Sequence, residues 1–218
     1  MSFLTDNVQI LFAEFESGNS PDIKNIKSYF PSAEISIYTE KNLLNYPYKK
    51  NDVRWGNRMN DYWKVKKLLD SKADVAISFD ADMKIVSNNV KTIIPLVKKF
   101  GVCLPVNPRK LVKVDTEIGA DSDYMLDDTF GMGYAVNMSP IAFDTHNNLA
   151  RKLLSKYCEL MLSNPVRGPL AMWRAIYTTG IMPCLLPPQW CVCAEDVGIG
   201  NEIILHIGHE KVRKHYER

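Results

Sequence analysis

The stretch from Val75 to Val86, V-A-I-S-F-D-A-D-M-K-I-V, carries the clearest structural signal in the chain. Its first part, Val75–Phe79, is a short apolar run, which is typical of a strand buried on both faces of a sheet. Asp80 and Asp82 follow directly, one residue apart. Residues i and i+2 of an extended chain point to the same side, so the two carboxylates can converge on one point. We therefore expect a buried strand that ends in a paired carboxylate site.

Two carboxylates this close repel each other, and the pKa of one would rise unless a cation lay beside them. A hard divalent ion, Mg²⁺ or Mn²⁺, prefers oxygen ligands and leaves positions open for a substrate phosphate. The alternative is a pair of solvated loop carboxylates, because aspartate is common at strand ends. The position directly after a wholly apolar strand favours the metal site.

Strand-like and helix-like segments alternate along the chain. We expect strands at 8–15, 34–38, 75–79, 102–106, 133–138 and 203–207. We expect helices from Ser20-Pro21, over 56–69, over 88–100 with a break at Pro95, over 145–162, and over 167–179 with Gly180 as C-cap. This alternation predicts an α/β fold with a mostly parallel sheet, in which ligands bind beyond the carboxyl ends of the strands. Asp80 and Asp82 stand at that edge.

The size and composition of the chain are those of an ordinary globular protein. Its 218 residues suffice for one domain, which we place over 1–218, and the basic end, Lys211–Arg218, shows no stop signal and is compatible with a longer protein. The net charge of +2 favours neither nucleic acid nor a membrane surface as a partner. No apolar run approaches the roughly 18 residues that span a bilayer, and M-S-F-L-T-D-N is too polar for a signal peptide.

Five cysteines occur without a C-x-x-C pair: Cys103, Cys158, Cys184, Cys191 and Cys193. We interpret them as reduced, half-buried thiols rather than as a structural metal site, which suits a cytoplasmic protein.

The segment from Ile203 to Lys211, I-I-L-H-I-G-H-E-K, is expected to bring a histidine to the same edge. A nitrogen of His206 added to two carboxylates would shift the metal preference from Mg²⁺ towards Mn²⁺. Gly208 permits a close approach of the backbone, and Lys211 is placed to meet phosphate oxygens as a point charge. The alternatives are that His206 is a hydrogen-bonded core residue, or that His209 is the ligand.

The helix-like segment before the D-x-D strand carries polar residues at three- and four-residue intervals: Arg54, Asn57, Arg58 and Asp61. They share one helical face. Arginine suits a diphosphate and aspartate suits a ribose or sugar hydroxyl, so this face is a candidate for donor binding. The alternative is a solvated face opposite Met59 and Trp63.

Together these segments resemble the GT-A-type, metal-dependent glycosyltransferases, in particular the glycogenin-like enzymes of family 8. F-D-A-D (79–82) matches their D-x-D motif, whereas L-H-I-G-H-E-K (205–211) matches their late H-x-x-G-x-K-type element only loosely. Weaker matches are I-L-F-A-E-F-E-S (10–17), T-F-G-M-G-Y-A-V-N-M-S (129–139) and L-L-P-P-Q-W-C-V-C (185–193). The resemblance covers nearly the whole chain and extends to the amino-terminal domain of capsid glycosyltransferases encoded by chlorella viruses. For a viral protein, the expected location is the host cytoplasm.

The resemblance implies a Rossmann-like nucleotide-binding half and an acceptor-side half within one GT-A domain. It implies transfer of a hexosyl or deoxyhexosyl group from a nucleoside-diphosphate sugar, most often a UDP-sugar, to a glycan or glycoprotein acceptor. Carried onto this sequence, the metal ligands for Mn²⁺, or alternatively Mg²⁺, are Asp80, Asp82 and His206. The donor-binding residues are Ala13, Glu14, Arg54, Arg58, Asp80 and Lys211.

One departure from the family concerns catalysis. Family-8 members have an Asp-Gln pair near the reacting sugar, where this chain has V-R-G-P-L-A (166–171). The choice between inversion and retention therefore stays open. Asp127 and Asp128 are the expected catalytic carboxylates, with Glu195 and Asp196 as the alternative pair.

Two rival functions remain. Phosphatases of the haloacid dehalogenase type also carry D-x-D after an apolar strand, with the first aspartate, here Asp80, as nucleophile, and A-E-D-V-G-I-G-N-E (194–202) resembles their late acidic loop. Against this, Lys84 stands where that family has threonine or valine, and the motif follows two earlier strands rather than the first. The second rival is a carbohydrate-binding module with a structural metal. A sugar-nucleotide pyrophosphorylase is disfavoured, because no Gly-rich N-terminal loop is present.

Overall fold

The computed structural model describes residues 6–14, 20–39, 55–110, 134–163 and 168–217, and for 14, 55–58, 108–110, 134 and 135 it describes the backbone alone. Arg54, Asp127 and Asp128 lie outside the described residues, so their predicted roles stay predictions. Glu14 and Arg58 are placed by their backbone only.

The described residues form two sheets. Their strands are β1 Val8–Glu14, β2 Glu34–Thr39, β3 Val75–Phe79, β4 Met83–Ile85, β5 Val102–Lys110, β6 Tyr134–Val136, β7 Ile141–Asp144, β8 Cys184–Leu186 and β9 Ile204–His206. The central sheet has seven strands in the order β2-β1-β3-β7-β5-β6, with β8 beside β5, and β4 pairs with β9 in a small second sheet. The pairing directions place β1, β2, β3, β5 and β8 parallel to one another and β6 and β7 in the opposite direction. The expected mostly parallel sheet is thereby confirmed.

Helices cover both faces of the central sheet. They are α1 Ile23–Tyr29, α2 Trp55–Asp70, α3 Ile93–Phe100, α4 Asn148–Ser163, α5 Gly168–Thr179 and α6 Glu210–Tyr216. Alternate residues of β3 enter opposite cores, since Ala76 packs in the core that contains residues of α2, α4 and α5. Ile77 and Phe79 pack on the other side with residues of α1 and α3. This two-sided burial explains why β3 is apolar throughout.

Two details of the helix boundaries differ from the sequence-based expectation. Asp22, not Ser20, is the N-cap of α1, and its Oδ1 accepts the N–H of Asn25 at 2.9 Å. Pro95 does not break its helix. The break precedes it, where a 3₁₀ turn at Asn88–Thr92 joins α3, and the proline lies in the first turn, where its missing N–H has no intrahelical role. Gly180, with φ +66°, ends α5 as expected and donates its N–H to the carbonyl of Ile176 at 2.9 Å.

Candidate functional site

The site begins at the carboxyl end of β3. Phe79 is fully buried and lies opposite Phe12 of β1, so the ends of these two parallel strands are side by side. Asp80 is the first residue beyond β3, and its N–H donates to the Oγ of Ser139 at 2.8 Å. This is the edge at which an α/β sheet binds ligands.

A tight turn follows and reverses the chain. The N–H of Met83 donates to the carbonyl of Asp80 at 3.2 Å, and β4 begins at Met83. Met83 pairs with His206 in the antiparallel ladder of β4 and β9. The segment with His206 thus reaches the expected edge, but through the two-stranded sheet rather than as a strand of the central sheet, because β4 provides its hydrogen-bonding partner.

The three predicted ligands come together. Nε2 of His206 lies 3.1 Å from Oδ1 of Asp82. Asp80, Asp82 and His206 each offer one ligand atom, and these atoms lie within 4.8 Å of one another. Their side chains are 19%, 22% and 20% exposed, so a small ligand can reach them without unfolding of the site. Two carboxylates and one imidazole are a donor set that suits Mn²⁺.

Gly208 allows the turn after β9 to close over Asp82. A Cβ atom at position 208 would lie 1.8 Å from Oδ2 of Asp82, so any side chain there would force the carboxylate to move. Nη1 of Arg213 donates to the carbonyls of Ile207 and Gly208 at 2.6 and 2.8 Å and holds this turn in place. The sequence analysis expected Gly208 to permit a close approach of the backbone, but it did not identify the role of Arg213.

A buried lysine, which the sequence analysis did not identify, faces Asp80 from helix α2. Lys64 is only 5% exposed, its ammonium group is paired with the Asp80 carboxylate, and Nζ lies 3.8 Å from Oδ1 of Asp61. The spacing in the sequence could have identified Lys64 as a site residue, because it follows Asp61 by three residues on the helical face already noted.

Asp61 itself is buried, so the alternative of a solvated face is wrong for this residue. Its Oδ2 accepts the N–H of Gly168 at 3.0 Å, and its backbone carbonyl accepts the hydroxyl of Tyr157 at 3.0 Å. Asp61 therefore anchors α2 against α4 and α5.

The charges at the site are coupled through His206. Burial would lower the pKa of His206, but its contacts with Asp82 and Cys193 outweigh burial and raise the pKa to about 10. Burial would raise the pKa of Asp82, but the hydrogen bond and the charge of His206 outweigh it and lower the pKa below the ordinary value. Without a metal, an imidazolium–carboxylate pair is therefore the stable form at neutral pH, and an ion at Nε2 would replace its proton.

No known protein family model and no curated protein sequence matches the chain, whereas solved structures do. A glycosyltransferase involved in the glycosylation of the major capsid of PBCV-1 matches with 8% identity and a TM-score of 0.57, over 97% of this chain and 98% of that one. The bifunctional glycosyltransferase WbbM matches with 8% identity and a TM-score of 0.56, over 97% of this chain and 49% of that one. The galactosyltransferase LgtC, solved with donor and acceptor sugar analogs, matches with 11% identity and a TM-score of 0.53, over 91% and 86%.

The chain has the GT-A fold. A viral capsid glycosyltransferase is among the similar structures, in agreement with the expected resemblance, but identities of 8–11% show the fold alone. The family-8 assignment and the metal therefore stay predictions. Among the residues that the structure describes, no helix combines the length and the apolar character needed to cross a membrane.

Within the GT-A fold, the other predicted donor residues have defined positions. Ala13 is buried near the carboxyl end of β1, and the backbone of Glu14 follows it at the same edge as Asp80. Lys211 is exposed at the second residue of α6, directly after the turn that contains Gly208. The positions of all three are compatible with donor binding, which no contact in the structure tests.

The two residues of the alternative catalytic pair differ in their exposure to solvent. Glu195 is exposed, whereas Asp196 is buried, and its Oδ2 accepts the N–H of Cys193 at 3.4 Å. Asp196 is therefore a turn residue, which leaves Glu195 as the member of the pair that a substrate can reach. His209, the competing metal ligand, lies at the N-cap of α6 with its ring 4.7 Å from that of His206.

Proposed function

We propose that the protein is a metal-dependent glycosyltransferase. It transfers a hexosyl or deoxyhexosyl group from a nucleoside-diphosphate sugar, a UDP-sugar, to a glycan or glycoprotein acceptor. The observation that supports this most is the convergence of Asp80, Asp82 and His206 at the carboxyl end of β3 in a chain with the GT-A fold. A fold of this kind by itself hosts many functions, so the site carries the proposal.

The proposed metal is Mn²⁺, with Mg²⁺ as the alternative. The donor set of two carboxylates and an imidazole fits it, and Gly208 leaves room for the Asp82 carboxylate at the turn. When bound, such an ion stabilises the negative charge that grows on a departing diphosphate.

The surrounding residues hold the ligands in place. Lys64 pairs with Asp80 from the buried side and orients its carboxylate. Ser139 fixes the backbone of Asp80 through its Oγ. Lys211 supplies positive charge for the diphosphate, and Ala13 and Glu14 border the base and ribose.

The acceptor side is assigned to Asp127 and Asp128, with Glu195 as the alternative. An inverting reaction needs a carboxylate that accepts the proton of the attacking hydroxyl. In a retaining reaction, the departing phosphate oxygen can take that proton instead. The GT-A fold disfavours the phosphatase alternative, and a non-catalytic carbohydrate-binding module remains a second alternative for experiment to separate.

Calorimetric titration of UDP, and then of UDP-sugars, tests the proposal in the presence of Mn²⁺, Mg²⁺ or a chelator. We expect UDP to bind with Mn²⁺ and not with the chelator, and Asp82→Asn to abolish this binding. A matched control is Asp70→Asn, which removes an exposed carboxylate of α2 that pairs with Lys66. Metal-independent binding, equal binding by both variants, or sugar binding without nucleotide would overturn the proposal.

A further inference from the structure

The inner nitrogen of His206 faces two buried thiols, on the side away from Asp82. The segment with Cys191 and Cys193 runs beside β9 and is hydrogen-bonded to it. The N–H of Val192 donates to the carbonyl of Ile204 at 2.9 Å, and the N–H of His206 donates to the carbonyl of Val192 at 3.0 Å. These backbone bonds fix the register of the two cysteines against the histidine.

The alternation of this extended segment sends both cysteines to one side. Val192 packs with Leu205 and Val212 in a small separate core. Cys191 and Cys193 enter the larger core that also contains Ile204. His206 follows Ile204 by two residues on β9 and therefore points to the same side as the two thiols.

The distances among these groups match those of a metal site. Sγ of Cys191 lies 3.8 Å from Sγ of Cys193, and Sγ of Cys193 lies 3.8 Å from Nδ1 of His206. One ligand atom from each of the three residues lies within 4.8 Å of the others. Tetrahedral Zn²⁺, with bonds of about 2.3 Å to sulfur and about 2.0 Å to nitrogen, holds two sulfurs about 3.8 Å apart and sulfur and nitrogen about 3.5 Å apart.

One neighbour of the cluster has the role that such a site requires. Asp82 holds Nε2 of His206, and a carboxylate on the outer nitrogen is the common support of a histidine that binds a metal.

We propose that Cys191, Cys193 and His206 form a binding site for a thiophilic divalent cation, Zn²⁺. The two thiols have the spacing C-x-C. The ion would tie the segment before Asp196 to β9 and fix the ring of His206. The site shares His206 with the proposed donor site, because a neutral imidazole binds a metal through one nitrogen only. With Zn²⁺ on Nδ1, the proton stays on Nε2 for Asp82, and the Mn²⁺ of the proposed function would be held by Asp80 and Asp82. The two sulfurs have no part in the donor-binding site. Both cysteines are free thiols in the structure, as the sequence analysis expected, and the proposal adds a metal to them.

Cobalt spectroscopy tests the site on the full chain, which is stripped of metal under reducing conditions and titrated with Co²⁺. We expect the sulfur-to-cobalt charge-transfer absorption and the visible bands of a tetrahedral thiolate site, and we expect added Zn²⁺ to remove them. Cys191→Ser and Cys193→Ser should each weaken the charge-transfer absorption by about half, because one of the two thiolates remains. Cys184→Ser, which changes a partly buried cysteine of β8, should keep it.

Two further measurements separate this proposal from the proposed function and cover the case in which the serine variants do not fold. Asp82→Asn should keep the charge-transfer absorption while it loses Mn²⁺-dependent UDP binding, so the failure of one proposal is distinguishable from failure of the other. Should the serine variants not fold, native mass spectrometry of the unmodified protein with Zn²⁺ replaces them, and one bound zinc is expected. A cobalt spectrum without sulfur absorption, an absorption unchanged in both variants, or no zinc uptake overturns the proposal.

Discussion

Each aspartate of the D-x-D pair is matched to its own positive group, Lys64 for Asp80 and His206 for Asp82. A buried lysine loses hydration, which its partners must offset. Here Asp80 and Asp61 flank the ammonium group of Lys64 and provide that compensation. The carboxylates are therefore stable at the strand end before any ion arrives, and an incoming ion has to displace the proton of His206. Metal binding therefore competes with the contact between His206 and Asp82 that stabilises the empty site.

A substitution at Gly208 tests the metal site through a steric clash with Asp82, without removal of any ligand. We expect Gly208→Ala to weaken Mn²⁺-dependent UDP binding at least about tenfold, because the new methyl group displaces the Asp82 carboxylate, and to lower the free energy of unfolding by about 1–3 kcal/mol. Calorimetry and urea unfolding measure the two effects. Gly180→Ala is the control, since φ +66° there strains alanine while nothing lies within 4 Å of the added Cβ. It should cost stability without an effect on binding, and equal binding losses would remove Gly208 from the site.

The convergence of Asp80, Asp82 and His206 could be predicted from sequence, because each follows an apolar run that has to be buried. The burial of Lys64 could not be predicted. A charged residue on a helix indicates a solvated face, and only the tertiary packing that brings α2 beside Asp80 buries this lysine. The approach of Cys193 to His206 depends in the same way on a pairing between β9 and a segment that is not a regular strand.

At the scale of elements, the sequence predicted long segments better than short ones. The bounds of β3 agree with the prediction, and those of α2 and α4 are within a few residues of it. Three strands of three or four residues were missed: β4, β7 and β8. Such runs are too short to show a period, and their partners lie far away in sequence, so tertiary pairing decides their structure. Missing β4 had the largest consequence, because β4 brings His206 to Asp82.

Helix α6 carries two exposed lysines that allow a matched comparison. We expect Lys211→Ala to weaken binding of a UDP-sugar more than binding of uridine, because only the former carries the diphosphate that the ammonium group would contact. Lys214→Ala removes a lysine of the same helix that pairs with Glu210, and it should leave both affinities nearly unchanged. Calorimetry with the two ligands measures the difference. Equal losses for UDP-sugar and uridine would exclude Lys211 from the diphosphate.

The end of α6 is fixed by a pH-dependent contact. The hydroxyl of Tyr216 donates to Oε1 of Glu202 at 2.7 Å, and this hydrogen bond, ahead of the other contacts, lowers the pKa of Glu202 below its ordinary value. Because the folded-state pKa is the lower one, the stabilisation is present above the unfolded-state pKa of about 4.3 and is lost as the pH falls through the folded-state value.

Tyr216→Phe tests this contact. We expect it to lower the free energy of unfolding by about 1 kcal/mol at pH 7, since both side chains are partly exposed, and by less at pH 3. Part of the loss persists in acid, because the N–H of Gly198 also donates to the Tyr216 hydroxyl. Urea unfolding at the two pH values measures the change, with the exposed Tyr177→Phe as control. A loss that does not depend on pH would show that Glu202 is not the group responsible.

At the scale of the molecule, the candidate site joins parts of the chain that are remote in sequence. The edge of the central sheet supplies Asp80, the turn into β4 supplies Asp82, and the small second sheet supplies His206. Helix α2 adds Lys64 from one core, while Cys193 approaches from the other. The α/β class follows from local pattern alone, whereas this assembly depends on which strands pair. A ligand held by all of these parts must stabilise the fold as a whole.

Thermal unfolding with Mn²⁺ and UDP measures that coupling. A ligand that binds only the folded state at a hundredfold excess over its Kd adds about 2.7 kcal/mol, which raises the Tm of a chain of this size by about 5–10 °C. We expect this shift for the unmodified protein with both ligands and a much smaller one with UDP and a chelator, since the diphosphate then lacks its ion. Asp82→Asn should abolish the shift, because it removes one of the carboxylates that hold the ion, while Asp70→Asn keeps it. An equal shift in both variants would mean that UDP binds away from the D-x-D edge, and the donor site would then have to be sought elsewhere on the sheet.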